Sequence, residues 1–246
     1  MRIPRIYLPL PLTVGATVQL DDNAFGHAVR VLRLQPGAGL VLFDGGGRAF
    51  SATLTTVGKR EAWAEISEAL PVENEPSLRI VLAQGISRGD KMDYTVQKAV
   101  ELGVNAIQPL FTERGGVDLT VERLLRKVQH WQGIIIGACE QCGQNRLPEL
   151  QQPLPLMAWL EQPAAGLRLV LEPTARCGLR EISAPIDQIT LLIGPEGGLS
   201  VAEVAKALAS GFVGIRLGQR ILRTETAGVA VLAAVQTLWG DWNNRC

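Results

Sequence analysis

Histidine is nearly missing from this chain, with two in 246 residues, His27 and His130. So few imidazoles exclude a histidine-rich metal centre, and no serine sits on a Gly-x-Ser-x-Gly elbow, so a serine-hydrolase triad has no support. Both histidines fall in helical stretches, where a packed or surface imidazole is expected. Cysteine is scarce as well. Cys139 and Cys142 stand at Cys-x-x-Cys spacing inside a helical pattern, but Cys177 and Cys246 do not complete a zinc set and no thioredoxin-like strand precedes the pair. Buried, reduced thiols and no metal are the expectation.

An excess of either charge is missing too, since 24 basic and 24 acidic side chains cancel. Bulk electrostatics therefore give no support for nucleic-acid binding. The local distribution gives a little: up to Arg60 there are seven Lys or Arg against three Asp, and Arg216, Arg220 and Arg223 cluster without an intervening acid, as a phosphate-binding face would. No apolar run is long enough to cross a bilayer. Met1-Arg2-Ile3-Pro4-Arg5 leads into a stretch broken by Pro9 and Pro11, which reads as neither signal peptide nor membrane anchor, so a cytoplasmic protein is expected.

What is present is bipartite. Short strands are predicted over Arg5 to Leu10, Leu40 to Phe43, Ala49 to Val57 and Ala62 to Ala69, with Asp44-Gly45-Gly46-Gly47-Arg48 as a hairpin turn. One helix interrupts them, capped by Asp21 or Asp22, with Ala24, Ala28, Val29 and Leu32 inward and Arg30 and Arg33 outward. A small β-barrel domain over residues 1–72 follows from these, and a polar, proline-bounded linker over 73–78. Residues 79–246 then alternate as an α/β domain. Strand Arg79 to Gln84, helix Asp90 to Leu102, strand Val104 to Phe111, a long helix Thr120 to Gln141 and strand Leu167 to Leu171 lead to two further strands, Thr190 to Ile193 and Val213 to Leu217.

Each of those last two strands runs into a glycine-bearing turn. Gly194-Pro195-Glu196-Gly197-Gly198 ends in Ser200-Val201-Ala202-Glu203, a capping box for the following helix. Leu217-Gly218-Gln219-Arg220-Ile221-Leu222-Arg223-Thr224 offers Thr224 as N-cap for an almost wholly apolar helix, Ala227 to Leu238, which needs protein on most sides. Neither turn has dinucleotide or P-loop spacing, so nucleotide phosphate is not the obvious ligand. Two sheet ends presenting main-chain groups side by side suit a small ligand held by backbone.

This pair of turns resembles the cofactor cradle of the SPOUT methyltransferases and, within them, the RsmE family. The likeness extends to Met1 through Tyr7, Ser87-Arg88-Gly89-Asp90-Lys91-Met92, Gln97-Lys98, Glu101-Leu102-Gly103 and Glu140-Gln141-Cys142-Gly143. It implies an α/β trefoil-knot methyltransferase domain preceded by a PUA-like RNA-binding barrel, working as a homodimer. The implied reaction is methylation of N3 of one uridine, U1498, in 16S ribosomal RNA, free or in the 30S subunit, with S-adenosyl-L-methionine as cofactor.

Carried over residue by residue, the cofactor contacts are Leu171, Glu172, Ile193, Gly194, Glu196, Gly198, Leu217, Gly218, Ile221, Leu222 and Thr224. Uracil N3 carries a proton, so the site needs a base or a group that stabilises the anion. Arg223 suits the second task, and Glu196 and Glu225 are the candidate bases. RNA contacts are expected from Arg2, Arg5, Tyr7, Arg30 and Arg33 in the barrel and from Arg88, Lys91 and Lys98 beyond it. The chain departs from the family where Gly115-Gly116-Val117-Asp118 follows Arg114 and lacks the usual lysine, and where Gln144 replaces an arginine. A methyltransferase acting on another RNA, or a non-catalytic RNA-binding knot protein, remains open on these residues.

Overall fold

The computed structural model describes residues 3–71, 78–116, 120–185 and 187–243. The chain divides into two compact units, Met1–Glu75 with Ile136–Leu147, and Pro76–Ile135 with Pro148–Cys246. Most of the linker expected over 73–78 lies outside the described residues, as do Arg2, Asp118 and Cys246.

In the first unit a five-stranded sheet runs β1 (Arg5–Tyr7), β3 (Gly39–Phe43), β4 (Ala49–Val57), β5 (Ala62–Ala69), β2 (Thr17–Gln19). Its core includes Ile6, Leu8, Leu40, Leu42, Leu54 and Ile66. β1 pairs in parallel with Val41 to Phe43 and stops at Tyr7 rather than Leu10, because Pro9 and Pro11 have no N–H to donate to a ladder. β2 escaped prediction because it is three residues long and buries only Val18. The hairpin turn forms as expected: Asp44 accepts from the Gly46 amide at 2.8 Å and pairs with the Arg48 guanidinium at 2.7 Å.

The predicted helix is one α-turn, α1 (Asp22–Phe25), capped by Asp21 and continued as a π-helix over Gly26–Val31. The Leu32 amide reaches back five residues to the His27 carbonyl at 2.9 Å. This wider turn breaks the 3.6-residue period, so Ala24 and Ala28 stay buried while Leu32, expected inward, is exposed.

The second unit is built on parallel strands. β6 (Arg79–Gly85), β7 (Ala106–Phe111), β8 (Glu149–Leu150), β9 (Leu154–Pro155), β10 (Leu167–Leu171), β11 (Cys177–Gly178), β12 (Gln188–Ile193) and β13 (Val213–Arg216) form one sheet. Its order is β11-β13-β10-β12-β6-β7-β8, with β9 also on β7. Both faces are covered, so central strands read as nearly unbroken apolar runs such as Ile189 to Ile193.

The helices of this unit are α2 (Asp90–Glu101), α4 (Leu156–Trp159), α5 (Val201–Ala209) and α6 (Thr224–Trp239); α3 (Val121–Cys142) starts here and ends in the first unit. α6 starts at Thr224, not Ala227, with Arg223 in the N-cap position and no side-chain capping bond. Thr224 is therefore not the cap: its hydroxyl donates to the Gly194 carbonyl at 2.6 Å. α6 buries Gly228, Val231, Leu232, Val235 and Gln236, while Ala230, Ala233 and Ala234 remain half-buried.

Candidate active site

Three strands that are far apart in sequence end side by side. β10 lies between β12 and β13, with Leu169 level with Leu191 on one side and Val213 on the other. The segments after these strands, 172–174, 194–199 and 217–223, therefore converge at the carboxyl edge of the sheet, where crevices form in open α/β folds. They enclose a cavity of about 550 Å³. Leu171, Glu172, Ile193, Gly194, Glu196, Gly198, Leu217, Gly218, Ile221, Leu222 and Thr224 all line it, together with Arg223.

The lining mixes apolar side chains such as Leu171, Ile193 and Leu217 with charged ones such as Lys91, Arg114, Glu196 and Arg223. Ile193 is buried, whereas Ile221 is 84% exposed, an isoleucine left open beside a cavity that a ligand with an apolar face would cover. Among the described residues, the main-chain amides from Gly218 to Leu222 make no hydrogen bond within the protein, so donors stand ready at that wall. The opposite turn is tightly closed. Gly198 donates to the Pro195 carbonyl at 2.9 Å, and a Cβ on Gly194 would lie 2.8 Å from the Leu199 nitrogen. Glu172 accepts from the amide and hydroxyl of Thr174 at 3.1 and 2.8 Å, which shapes the third segment.

Glu196 sits on the rim, where its carboxylate accepts from the Arg88 amide at 3.1 Å and pairs with Lys91 at 3.4 Å. Partial burial pushes its pKa up, but its own amide, the Arg88 amide and Lys91 together outweigh this and hold it below the ordinary carboxylate value. Glu225, in the first turn of α6, is not among the residues lining the cavity. One of its oxygens is buried without a hydrogen-bond partner.

The structure also brings in residues the motifs did not point to. Arg114 lines the cavity and donates to the Gly197 and Leu199 carbonyls at 3.3 Å. Its loop is held by Glu203, a carboxylate only 1% exposed, which accepts from the Glu113 amide at 2.9 Å and the Ser200 amide at 2.8 Å. The capping box was legible; its second use was not, because Glu113 lies far away in sequence. Lys91, expected on RNA, lines this same cavity.

The remaining RNA candidates differ in availability. Arg30 and Arg33 are exposed; Arg30 lies 5.3 Å from the Phe25 ring centre, and Arg33 holds a left-handed φ of 55°. Arg5 instead turns inward, bonded to Asn145 and placed 5.3 Å over the Phe43 ring. Tyr7 packs on Phe43 with ring centres 5.6 Å apart. Burial, then Asp21 and Asp44, raises its phenol pKa. Its amide donates to Glu140, which also meets His27 at 2.7 Å. Arg88 is exposed and reaches the Gly116 carbonyl at 3.3 Å, and Lys98 pairs with Glu101 at 2.7 Å.

Of the cysteines, Cys139 is buried and Cys142 and Cys177 are half-buried, all unbridged. No cluster of three or more His, Cys, Asp or Glu side chains suited to a metal occurs among the described residues, and no helix among them is long and apolar enough to cross a membrane.

Comparison with known proteins agrees with this geometry. The RNA methyltransferase domain family matches residues 73–236, and the RNA methyltransferase PUA domain family matches residues 20–67. Ribosomal RNA small subunit methyltransferase E of Buchnera aphidicola subsp. Schizaphis graminum is 35% identical over 98% of both chains. The crystal structure of ribosomal RNA small subunit methyltransferase E from Neisseria gonorrhoeae, bound to S-adenosyl methionine, is 44% identical with a TM-score of 0.91, covering 98% of this chain and 100% of that one. A Legionella pneumophila structure containing bound SAM is 40% identical with a TM-score of 0.95, over 98% and 100% of the two chains. The fold is thus of the expected α/β class, an RNA methyltransferase domain preceded by a PUA-like domain, and the chain belongs to the ribosomal RNA small subunit methyltransferase E, or RsmE, family.

Proposed function

We propose that this protein is an S-adenosylmethionine-dependent methyltransferase that modifies N3 of a single uridine, U1498, in 16S ribosomal RNA. The observation that carries this reading is the convergence of three strand ends on one cavity of about 550 Å³, lined by apolar side chains and glycine turns together with charged side chains such as Arg114, Glu196 and Arg223. Its size falls within the usual range for a small-ligand site. Leu171, Ile193, Leu217, Ile221 and Leu222 would flank an adenine ring, and the free amides of Gly218 to Leu222 would meet its polar edge.

S-adenosylmethionine, when bound, supplies an electrophilic methyl group. The protein's own task is to align the nucleophile and manage the N3 proton. Arg223 lies on the cavity and its planar guanidinium presents several donors, so it is the group proposed to stabilise negative charge spread over N3 and its flanking oxygens. Glu196 is already engaged by Arg88 and Lys91, and its lowered pKa makes it a weaker base. Glu225 stands outside the cavity lining. Both facts favour anion stabilisation over general-base removal by either carboxylate.

Exposed Arg30 and Arg33 on the barrel and Arg88 beside the site are the proposed RNA contacts. The half-buried alanines of α6 support a homodimer in which a second copy covers that helix. The proposed substrate places the protein in the cytoplasm, on the RNA of the 30S subunit.

The test is incubation with methyl-labelled S-adenosylmethionine and either unmodified 30S subunits or naked 16S RNA, followed by mapping of the labelled nucleoside. N3-methyluridine at one position, lost in Arg223→Ala with cofactor binding retained, is the expected result. Label on another base or another RNA overturns the substrate assignment. Absence of cofactor binding overturns the enzymatic reading altogether.

A further inference from the structure

Beyond the exposed Arg79 at its start, β6 is apolar except for one side chain near its end, Gln84, which is fully buried. Its amide nitrogen lies 3.0 Å from the Gly85 carbonyl, 3.0 Å from the Thr224 hydroxyl and 3.3 Å from the Gly194 carbonyl. The Thr224 hydroxyl in turn donates to the Gly194 carbonyl at 2.6 Å. The two carbonyls set the direction of the amide, because reversing it would turn an oxygen toward both of them. Gln84 therefore donates to Thr224, which relays the bond to Gly194. The Gln84 oxygen is left buried without a partner, a costly arrangement to keep in a core where leucine would pack without that loss.

Gly194 opens one turn of the cavity, and Thr224 begins α6 directly after Arg223. No ladder hydrogen bond joins these two segments, since their strands, β12 and β13, are separated by β10. We infer that Gln84 is a positioning residue. Through Thr224 it fixes the start of α6 against the Gly194 turn, and so sets where Arg223 stands relative to a ligand in the cavity. This rests on the methyltransferase reading for its catalytic consequence, but the mechanical link does not depend on that reading.

The test uses the full-length protein and the variants Gln84→Met, Thr224→Val and Gln84→Met/Thr224→Val. Amide hydrogen exchange is followed without ligand. Faster exchange confined to 194–199 and 217–226, with the rest of the sheet unchanged, is expected in all three. Exchange at the parent rate in these segments, or acceleration spread evenly over the domain, overturns the inference. Single-turnover methyl transfer at saturating cofactor is then compared, with an expected fall of about tenfold or more in Gln84→Met. The double variant should be no slower than the worse single one, because both break one relay. Thr224→Ser, which keeps the hydroxyl, should recover most of the rate lost in Thr224→Val. Additive losses, or no recovery with serine, overturn the relay. A parent protein that transfers no methyl group refutes the functional reading instead, and the exchange result still decides the mechanical one.

Discussion

Replacing Gly194 by alanine would add a methyl group 2.8 Å from the Leu199 nitrogen, 2.9 Å from the Gly198 carbonyl carbon and 3.1 Å from the Gly198 Cα. All three are main-chain atoms of the same turn, so no side-chain rotation can relieve the contact. Overpacking of this kind costs about 1–3 kcal/mol. The turn can relax only by opening, which moves one wall of the cavity away from the other two. If that cost falls on the binding-competent conformation, affinity for S-adenosylmethionine drops by about 5- to 150-fold, at about 1.4 kcal/mol per decade. Titration calorimetry of the parent and Gly194→Ala measures the drop, and thermal unfolding of both shows whether the fold itself is lost. A folded Gly194→Ala protein that binds the cofactor as tightly as the parent would refute the account of the turn as a close-packed cradle.

Gly133, exposed in α3 with nothing within 4 Å of a built Cβ, gives the contrasting case: Gly133→Ala should stabilise the protein by about 0.5–1 kcal/mol in denaturant unfolding. Glu203→Ala leaves the buried amide of Ser200 and that of Glu113 without their acceptor. It should cost about 1–3 kcal/mol in the same assay and weaken cofactor binding through the Arg114 loop. Burial, then Cys142 and Glu140, against an opposing Arg5, pushes the Cys139 thiol up to about 12. Its contribution to stability is therefore complete below the ordinary thiol value of 9.0 and is lost as pH rises toward about 12. Thiol labelling of the native protein at pH 8 should accordingly spare Cys139, and unfolding followed against pH should show an alkaline loss that Cys139→Ala lacks. Glu196 has the opposite sign. Its link to Arg88 and Lys91 contributes above the ordinary carboxylate value of 4.5 and is lost as pH falls through its depressed value, a dependence that Glu196→Gln should abolish in acid titration.

Much of the site was legible because its signals are local. A capping box declares itself over four residues, as Ser200 and Glu203 do, and the Asp44 turn needs only its own side chain and three glycines. The two glycine-bearing turns were visible for the same reason. Periodicity failed where the local geometry changed, at the π-helix that exposes Leu32. It failed again at Thr224, whose hydroxyl is used by a carbonyl thirty residues earlier rather than by its own helix.

By itself, then, the sequence determined the alternation of strands and helices, the two turns and the family they resemble, because each rests on backbone preferences and spacings within a few residues. Only the tertiary structure decided that β10 would lie between β12 and β13, that Arg5 would turn onto Phe43 and Asn145, and that Ile136–Leu147 would pack with the N-terminal unit. It also decided that the one polar residue near the end of β6 would hold two turns together. Strand order and buried polar pairing are settled by competition among distant segments for the same core and the same hydrogen-bond partners, and no short stretch of sequence contains the outcome of that competition.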